Sequence, residues 1–353
     1  MNNKGLYRLL ETSFLGFLGG YVFSLANLPL PWVLGPLTFV MLWQGFSKRK
    51  AYWPKPIKNA GLSILGIYFG LYFTTETFLT IGPYFLPFLL ITILIISVSI
   101  IISTVVTKWI NVDQITSVFG SIPGGLTEMV IASESLNAKP SLVIIFQTVR
   151  LLTVLFIVPT VIVFYLTEQN PIPTTEVVQE VIASSRWSYL WFILPIAIGM
   201  LVQNKIPAGF VIGPLAATVL INISFVTLPS VPNLVLLAAQ MAVGISLGKS
   251  ISFTDLKLGG KYCFVYFSIA LFLIITSFGL GAVLAHFTSL NFATAVLSVA
   301  PGGIVEMVLT AAIVGGDPAI VSALQLTRIL VIIMFVPTVL KWYFRKNTTK
   351  TAA

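Results

Sequence analysis

Apolar runs of about 20 residues recur along the chain, separated by short stretches where Lys, Arg, Pro and Gly collect. That is the length an α-helix needs to cross a hydrocarbon core of roughly 30 Å. The pattern predicts membrane-spanning helices near 9–27, 32–47, 57–74, 84–107 and 141–166, and again near 187–204, 207–224, 232–248, 262–285 and 319–341. Two further apolar stretches, 118–136 and 296–314, are interrupted by Pro-Gly-Gly, which a continuous helix does not tolerate. Between the halves lies a polar stretch with Pro171, Pro173, Glu168, Glu176 and Glu180. The expected organisation is a membrane repeat over 1–166, an acidic extracytoplasmic linker over 167–186, a second membrane repeat over 187–346 and a cytoplasmic tail over 347–353. Weak ten-residue alternation is missing, which argues against an outer-membrane barrel.

Composition strengthens this reading. The 353 residues are 57% hydrophobic and only 9% charged, with a mean hydropathy of +0.99. Soluble domains carry about 25% charged residues. The fold expected is therefore an all-α polytopic membrane protein. One cysteine and one histidine, Cys263 and His286, allow no internal disulfide and no Cys/His metal cluster. Lys4 and Arg8 before an apolar run imitate a signal peptide, but no small-residue cleavage site follows, so the run reads as a first membrane helix.

A shift of 178 positions aligns the two halves without a gap. Pro29 falls on Pro207, Gly35-Pro36-Leu37 on Gly213-Pro214-Leu215, Gly66 and Gly70 on Gly244 and Gly248, and Val158-Pro159-Thr160 on Val336-Pro337-Thr338. Gly and Pro are the residue types least given to matching by an oily background, so the pattern reads as an internal duplication.

The net charge of +9 then acquires a direction. Loop 48–58 carries Lys48, Arg49, Lys50, Lys55 and Lys58, while its counterpart near 226–236 has no charge. Conversely 249–261 carries Lys249, Lys257 and Lys261, while 71–83 has only Glu76. Basic loops face the cytoplasm, so the halves are expected in opposite orientations, an inverted repeat. That requires an odd number of crossings per half. Five per half, with each Pro-Gly-Gly segment broken or re-entrant, puts both termini in the cytoplasm of a cell-membrane protein.

The chemistry concentrates at the two interruptions. Pro123, Gly124 and Gly125 precede Thr127 and Glu128; Pro301, Gly302 and Gly303 precede Glu306. Helix breaks at membrane depth leave backbone groups for a ligand, and inverted-repeat transporters place their sites there. An acid in this setting costs several kcal/mol unless it is hydrated or paired. It can exchange a proton or neutralise a buried Arg. Arg150 and Arg328 supply that second reading, each three positions after a glutamine, Gln147 and Gln325. Gly66/Gly70 and Gly244/Gly248 read as helix-packing faces, and Asp317 before Pro318 reads as a helix cap.

The doubled Pro-Gly-Gly-x-x-Glu-Met segment, each copy followed by a Gln-x-x-Arg helix ending in Val-Pro-Thr, resembles the AbrB-type membrane duplication family over nearly the whole chain. Members of that family carry labels as regulators of gene expression and as ammonia monooxygenases. Neither role has its machinery here. Copper or iron would need more than one His and one Cys, and no helix-turn-helix or long basic stretch lies outside the spans. No nucleophile–base set and no Walker-type phosphate loop is present. The expectation is a non-enzymatic transporter or exporter without a cofactor, or else a membrane sensor. Its partners are a small solute or ion and the lipid bilayer, with a homodimer admitted and no direct nucleic-acid contact.

Overall fold

The computed structural model describes residues 3–124, 126–136, 138–169, 186–203, 205–206, 208–224 and 228–351. Most of the stretch expected as the acidic linker, 170–185, and the last two residues of the tail lie outside them. Among the described residues the regular structure is helical throughout. In chain order the helices are α1 (Asn3–Leu25), α2 (Pro31–Ser47), α3 (Lys55–Gly70), α4 (Thr75–Val106), α5 (Gln114–Ser121), α6 (Leu126–Glu134) and α7 (Pro140–Gln169). A 3-10 turn (Arg186–Phe192) leads into α8 (Ile193–Val202), followed by α9 (Gly209–Ile223), α10 (Asn233–Ser250), α11 (Phe253–Gly259), α12 (Lys261–Phe287), α13 (Phe292–Val299), α14 (Ile304–Ile313) and α15 (Pro318–Thr351).

Among the described residues five helices are long and apolar enough to cross a membrane: Thr75–Val106, Pro140–Leu166, Asn233–Ser250, Lys261–Phe287 and Pro318–Phe344. Other expected spans form as shorter helices, with 17 residues in α2, 16 in α3 and 15 in α9. α4 begins well before residue 84 and runs through Pro83 and Pro87. Proline is tolerated in membrane helices because neighbouring groups satisfy the freed carbonyls. Asp317 caps α15 as expected, its Oδ1 accepting from the backbone N–H of Ala319 at 2.9 Å and of Ile320 at 3.1 Å.

The chain divides into two compact units. Unit 1 comprises Met1–Gly82, Pro159–Ser252 and Val308–Ile320. Its helices cross on glycine. A Cβ on Gly66 would strike the carbonyl of Val211, and one on Gly244 would strike the carbonyl of Val33. The same exchange recurs one turn on, with Gly70 against Leu215 and Gly248 against Leu37. Helix ends follow suit. Gln44 Nε2 donates to the carbonyls of Gly248 (3.2 Å) and Lys249 (3.3 Å), and Asn222 Nδ2 to those of Leu71 (3.3 Å) and Phe73 (2.8 Å). Backbones this close leave no room for a methyl group, and overpacking costs about 1–3 kcal/mol. Gly66→Ala and Gly244→Ala should therefore each lower the melting temperature in detergent measurably. Gly279→Ala in α12, where a Cβ meets nothing within 4 Å, should not.

Unit 2 comprises Pro83–Val158, Phe253–Met307 and Val321–Ala353. One apolar cluster joins Val118, Phe119, Ile122, Met129 and Val143 to Ile332, Val336 and Leu340 of α15. A second gathers around Tyr266 of α12. Its ring stacks on Phe146 at 3.5 Å with an interplanar angle of 9°, and its hydroxyl donates to Ser117 Oγ at 2.8 Å.

Candidate functional site

Both Pro-Gly-Gly stretches separate two short helices, α5 from α6 and α13 from α14. Each first helix starts on a polar cap. Asp113 Oδ2 accepts from Thr116 N at 2.9 Å, and Asn291 Oδ1 from Ala293 N at 2.7 Å. Each ends at the residue before proline, Ile122 or Ala300. These are extended, with ψ of 131° and 135°, as the clash with the proline ring requires. The chain then folds back tightly: Gly124 N donates to Ile122 O, and Gly302 N to Ala300 O, both at 2.8 Å.

A helix that stops leaves its last carbonyls without intrahelical donors. Here the Gln-x-x-Arg pairs supply them. Gln147 Nε2 donates to Phe119 O at 2.6 Å and Ile122 O at 3.1 Å. Arg150 Nη1 donates to Ile122 O, and its Nη2 to Gly124 O at 3.3 Å. Positions 178 later repeat the arrangement. Gln325 Nε2 reaches Leu297 O at 2.6 Å and Ala300 O at 3.2 Å. Arg328 Nη1 donates to Ala300 O, and its Nη2 to Gly302 O at 2.6 Å. All four side chains are buried. A cation at a helix C-terminus also meets the negative end of the dipole.

The forked donors of both arginines thus go to backbone carbonyls at the breaks. One face remains unspent: Nε of Arg150 and of Arg328, and Oε1 of Gln147 and of Gln325, are buried without a protein hydrogen bond. Gly124 lies against Ile332, one turn beyond Arg328 on α15.

Glu306 is the third residue of α14 and is buried at 5% exposure. Its carboxylate folds back over Gly303, where an added Cβ would collide with Oε2. An acid in the first turn of a helix meets the positive end of the dipole. Of the counterparts at the first break, Gly125 and the side chains of Thr127 and Glu128 lie outside the described residues; Glu128 itself is on α6.

Pro123, Gly124, Gln147 and Arg150 are thus brought together at one break, and Pro301, Gly302, Gly303, Glu306, Gln325 and Arg328 at the other. Sequence reasoning missed the methionines. Met129 and Met307 are fully buried, with Cε or Sδ folded onto Gly124 and Gly302. Their match in both Glu-Met-Val copies was the available signal. It also missed Phe146 and Tyr266, which fix α5, and those carried no signal because their counterparts are Leu324 and Phe88.

A family profile described as "Transition state regulatory protein AbrB" matches residues 32–344. The chain is similar to "Uncharacterized protein YhjN" of Bacillus subtilis (strain 168), with 23% identity over 345 residues covering 90% of this chain and 88% of that one. It is also similar to "Putative regulator AbrB" of Escherichia coli (strain K12), with 25% identity over 342 residues covering 91% and 92%. No solved structure matches.

Proposed function

Since the chain belongs to the AbrB family, we propose that it is an integral membrane transporter or exporter of a small anionic or zwitterionic solute, coupled to protons and without enzymatic chemistry. The observation that carries this reading is the matched pair of broken helices, each clamped by a buried Gln-x-x-Arg set. Ionisable side chains buried in apolar helices mark ion and solute pathways. In the proposed mechanism the solute sits between the breaks. Its anionic group faces the N-termini of α6 and α14 and the unspent Nε–H of Arg150 and Arg328. Glu128 and Glu306 carry protons or counter a cationic group.

Alternating access needs two opposed halves, and unit 1 supports them. Contacts come in exchanged pairs 178 residues apart: Gly66 with Val211 and Gly244 with Val33, Gln44 with Lys249 and Asn222 with Leu71. Gly61 touches its own counterpart, Ala239, as a residue on a two-fold axis does. Such reciprocity is the mark of an isologous arrangement. It places the ends of α2 and α10 together and the ends of α3 and α9 together. α3 starts where α2 ends, so α2 and its counterpart α9 point in opposite directions. Together with the loop charges, this arrangement supports ten crossings with both termini cytoplasmic.

Single cysteines test the orientation in a chain carrying Cys263→Ser. Lys50→Cys and Lys257→Cys should react with an impermeant maleimide from one face, and Glu76→Cys from the other. Labelling of positions 50 and 257 from opposite faces would refute the inversion. A second reading, a membrane sensor that affects gene expression indirectly, is favoured by the names of the family profile and of the Escherichia coli relative. Flux through reconstituted vesicles separates the two.

A further inference from the structure

Unit 1 gathers basic side chains from separate stretches at one end. Lys48, Arg49, Lys50, Lys55 and Lys58 lie in and just after the turn between α2 and α3, and Lys249 lies at the end of α10; all are exposed. The fold joins these stretches. Lys249 Nζ donates to the carbonyl of Trp53 at 2.9 Å, and Trp53 Nε1 to the carbonyl of Ala242 at 3.0 Å. Gln44 Oε1 accepts from Ala51 N at 2.9 Å, while its Nε2 holds the end of α10. On the α1 side, Tyr52 N donates to Thr12 Oγ1 at 3.3 Å, one turn from the exposed Arg8.

Acid is nearly absent from the same segments. Glu11 is the one carboxylate in residues 1–75, and residues 187–254 contain none. Exposed rings flank the charges, Phe46 at 83%, Tyr7 at 71% and Tyr52 at 38%. Unbalanced cations above apolar surface, with aromatic side chains between, match a phosphate ester joined to acyl chains. We propose that this end of unit 1 is a docking surface for anionic phospholipid headgroups. Lys48, Arg49, Lys50 and Lys58 hold the phosphate, and Phe46 lies along the chains. The backbone contacts of Lys249 and Gln44 keep the turn in place. The proposal is independent of any transport activity.

Native mass spectrometry of the full chain, purified in detergent and titrated with phosphatidylglycerol or with phosphatidylcholine of the same acyl chains, tests it. The wild type should retain phosphatidylglycerol in preference to phosphatidylcholine. Each surface cation contributes about fivefold in affinity for an anionic lipid. A variant combining Lys48→Gln, Arg49→Gln, Lys50→Gln and Lys58→Gln should therefore lose at least about tenfold. The set Lys48→Arg, Lys50→Arg and Lys58→Arg should keep the affinity, as should neutralisation of Lys108, Lys139, Lys257 and Lys261. If the fourfold variant fails to fold, the four single variants should show stepwise losses. Equal retention of phosphatidylglycerol by the neutralised patch, or equal binding of both lipids by the wild type, overturns the proposal. Displacement of the lipid by inorganic phosphate at matched concentration does so as well, because the surface would then be a free-anion site.

Discussion

Arg328→Met lowers the melting temperature of the detergent-purified protein further than Arg150→Met, Gly66→Ala or Gly244→Ala. Arg328 supplies charged donors to the carbonyls of Ala300 and Gly302 at a helix break buried from solvent. A buried acceptor left without its donor costs about 1–3 kcal/mol, and more where the donor was charged. Two carbonyls put the loss at about 2–6 kcal/mol, partly relieved at Ala300 by Gln325. Arg328→Lys recovers only part of it, because the compact ammonium lacks the rigid planar fork that spans both oxygens. Arg150→Met follows the same course with a smaller drop, its second bond being 3.3 Å long against 2.6 Å. Thermal unfolding checks this directly. A solute ligand with no structural duty would leave stability unchanged on removal, and that result would refute the clamp.

Glu306→Gln gives the opposite pattern, with fold retained and flux lost. Glutamine keeps the size and the reach toward Gly303 but cannot carry a proton or a charge. Flux should be lost, as expected if Glu306 is the acid that carries the proton, while the melting temperature moves little. Gly303→Ala should reproduce the flux defect by a different route, since a Cβ there occupies the place of the Glu306 carboxylate. Wild-type flux in both variants would remove Glu306 from the pathway. Glu128→Gln is expected to match Glu306→Gln, as its counterpart at the first break.

The breaks were legible because proline and doubled glycine interrupt a helix wherever they stand, and the residue before proline is forced out of the α region. The packing role of Gly66, Gly70, Gly244 and Gly248 was legible because small residues spaced by four form a face. The carbonyl contacts of Arg150 and Arg328 were not. A buried guanidinium can be satisfied by a carboxylate, a ligand or a carbonyl, and the carbonyls it finds lie 26 and 28 residues away. Sequence spacing placed Gln and Arg on one helix face, but the partner of that face is a matter of tertiary packing. The start of α4 was misplaced for a related reason: Pro83 reads as a boundary in water, whereas a membrane helix carries it internally. The contacts between α3 and α9 and between α10 and α2 had no signal of their own, because loop charge says nothing of which helices touch.

The most direct test of proton-coupled transport is solute flux into proteoliposomes, screened over small organic anions and amino acids with and without a pH gradient, for the wild type and Glu306→Gln side by side. The wild type should accumulate at least one such solute, the gradient should alter the rate, and Glu306→Gln should abolish it at unchanged melting temperature. A folded, reconstituted wild type that moves nothing across the panel, in a protein whose Glu306→Gln variant still supports normal gene regulation in cells, would contradict a transport role.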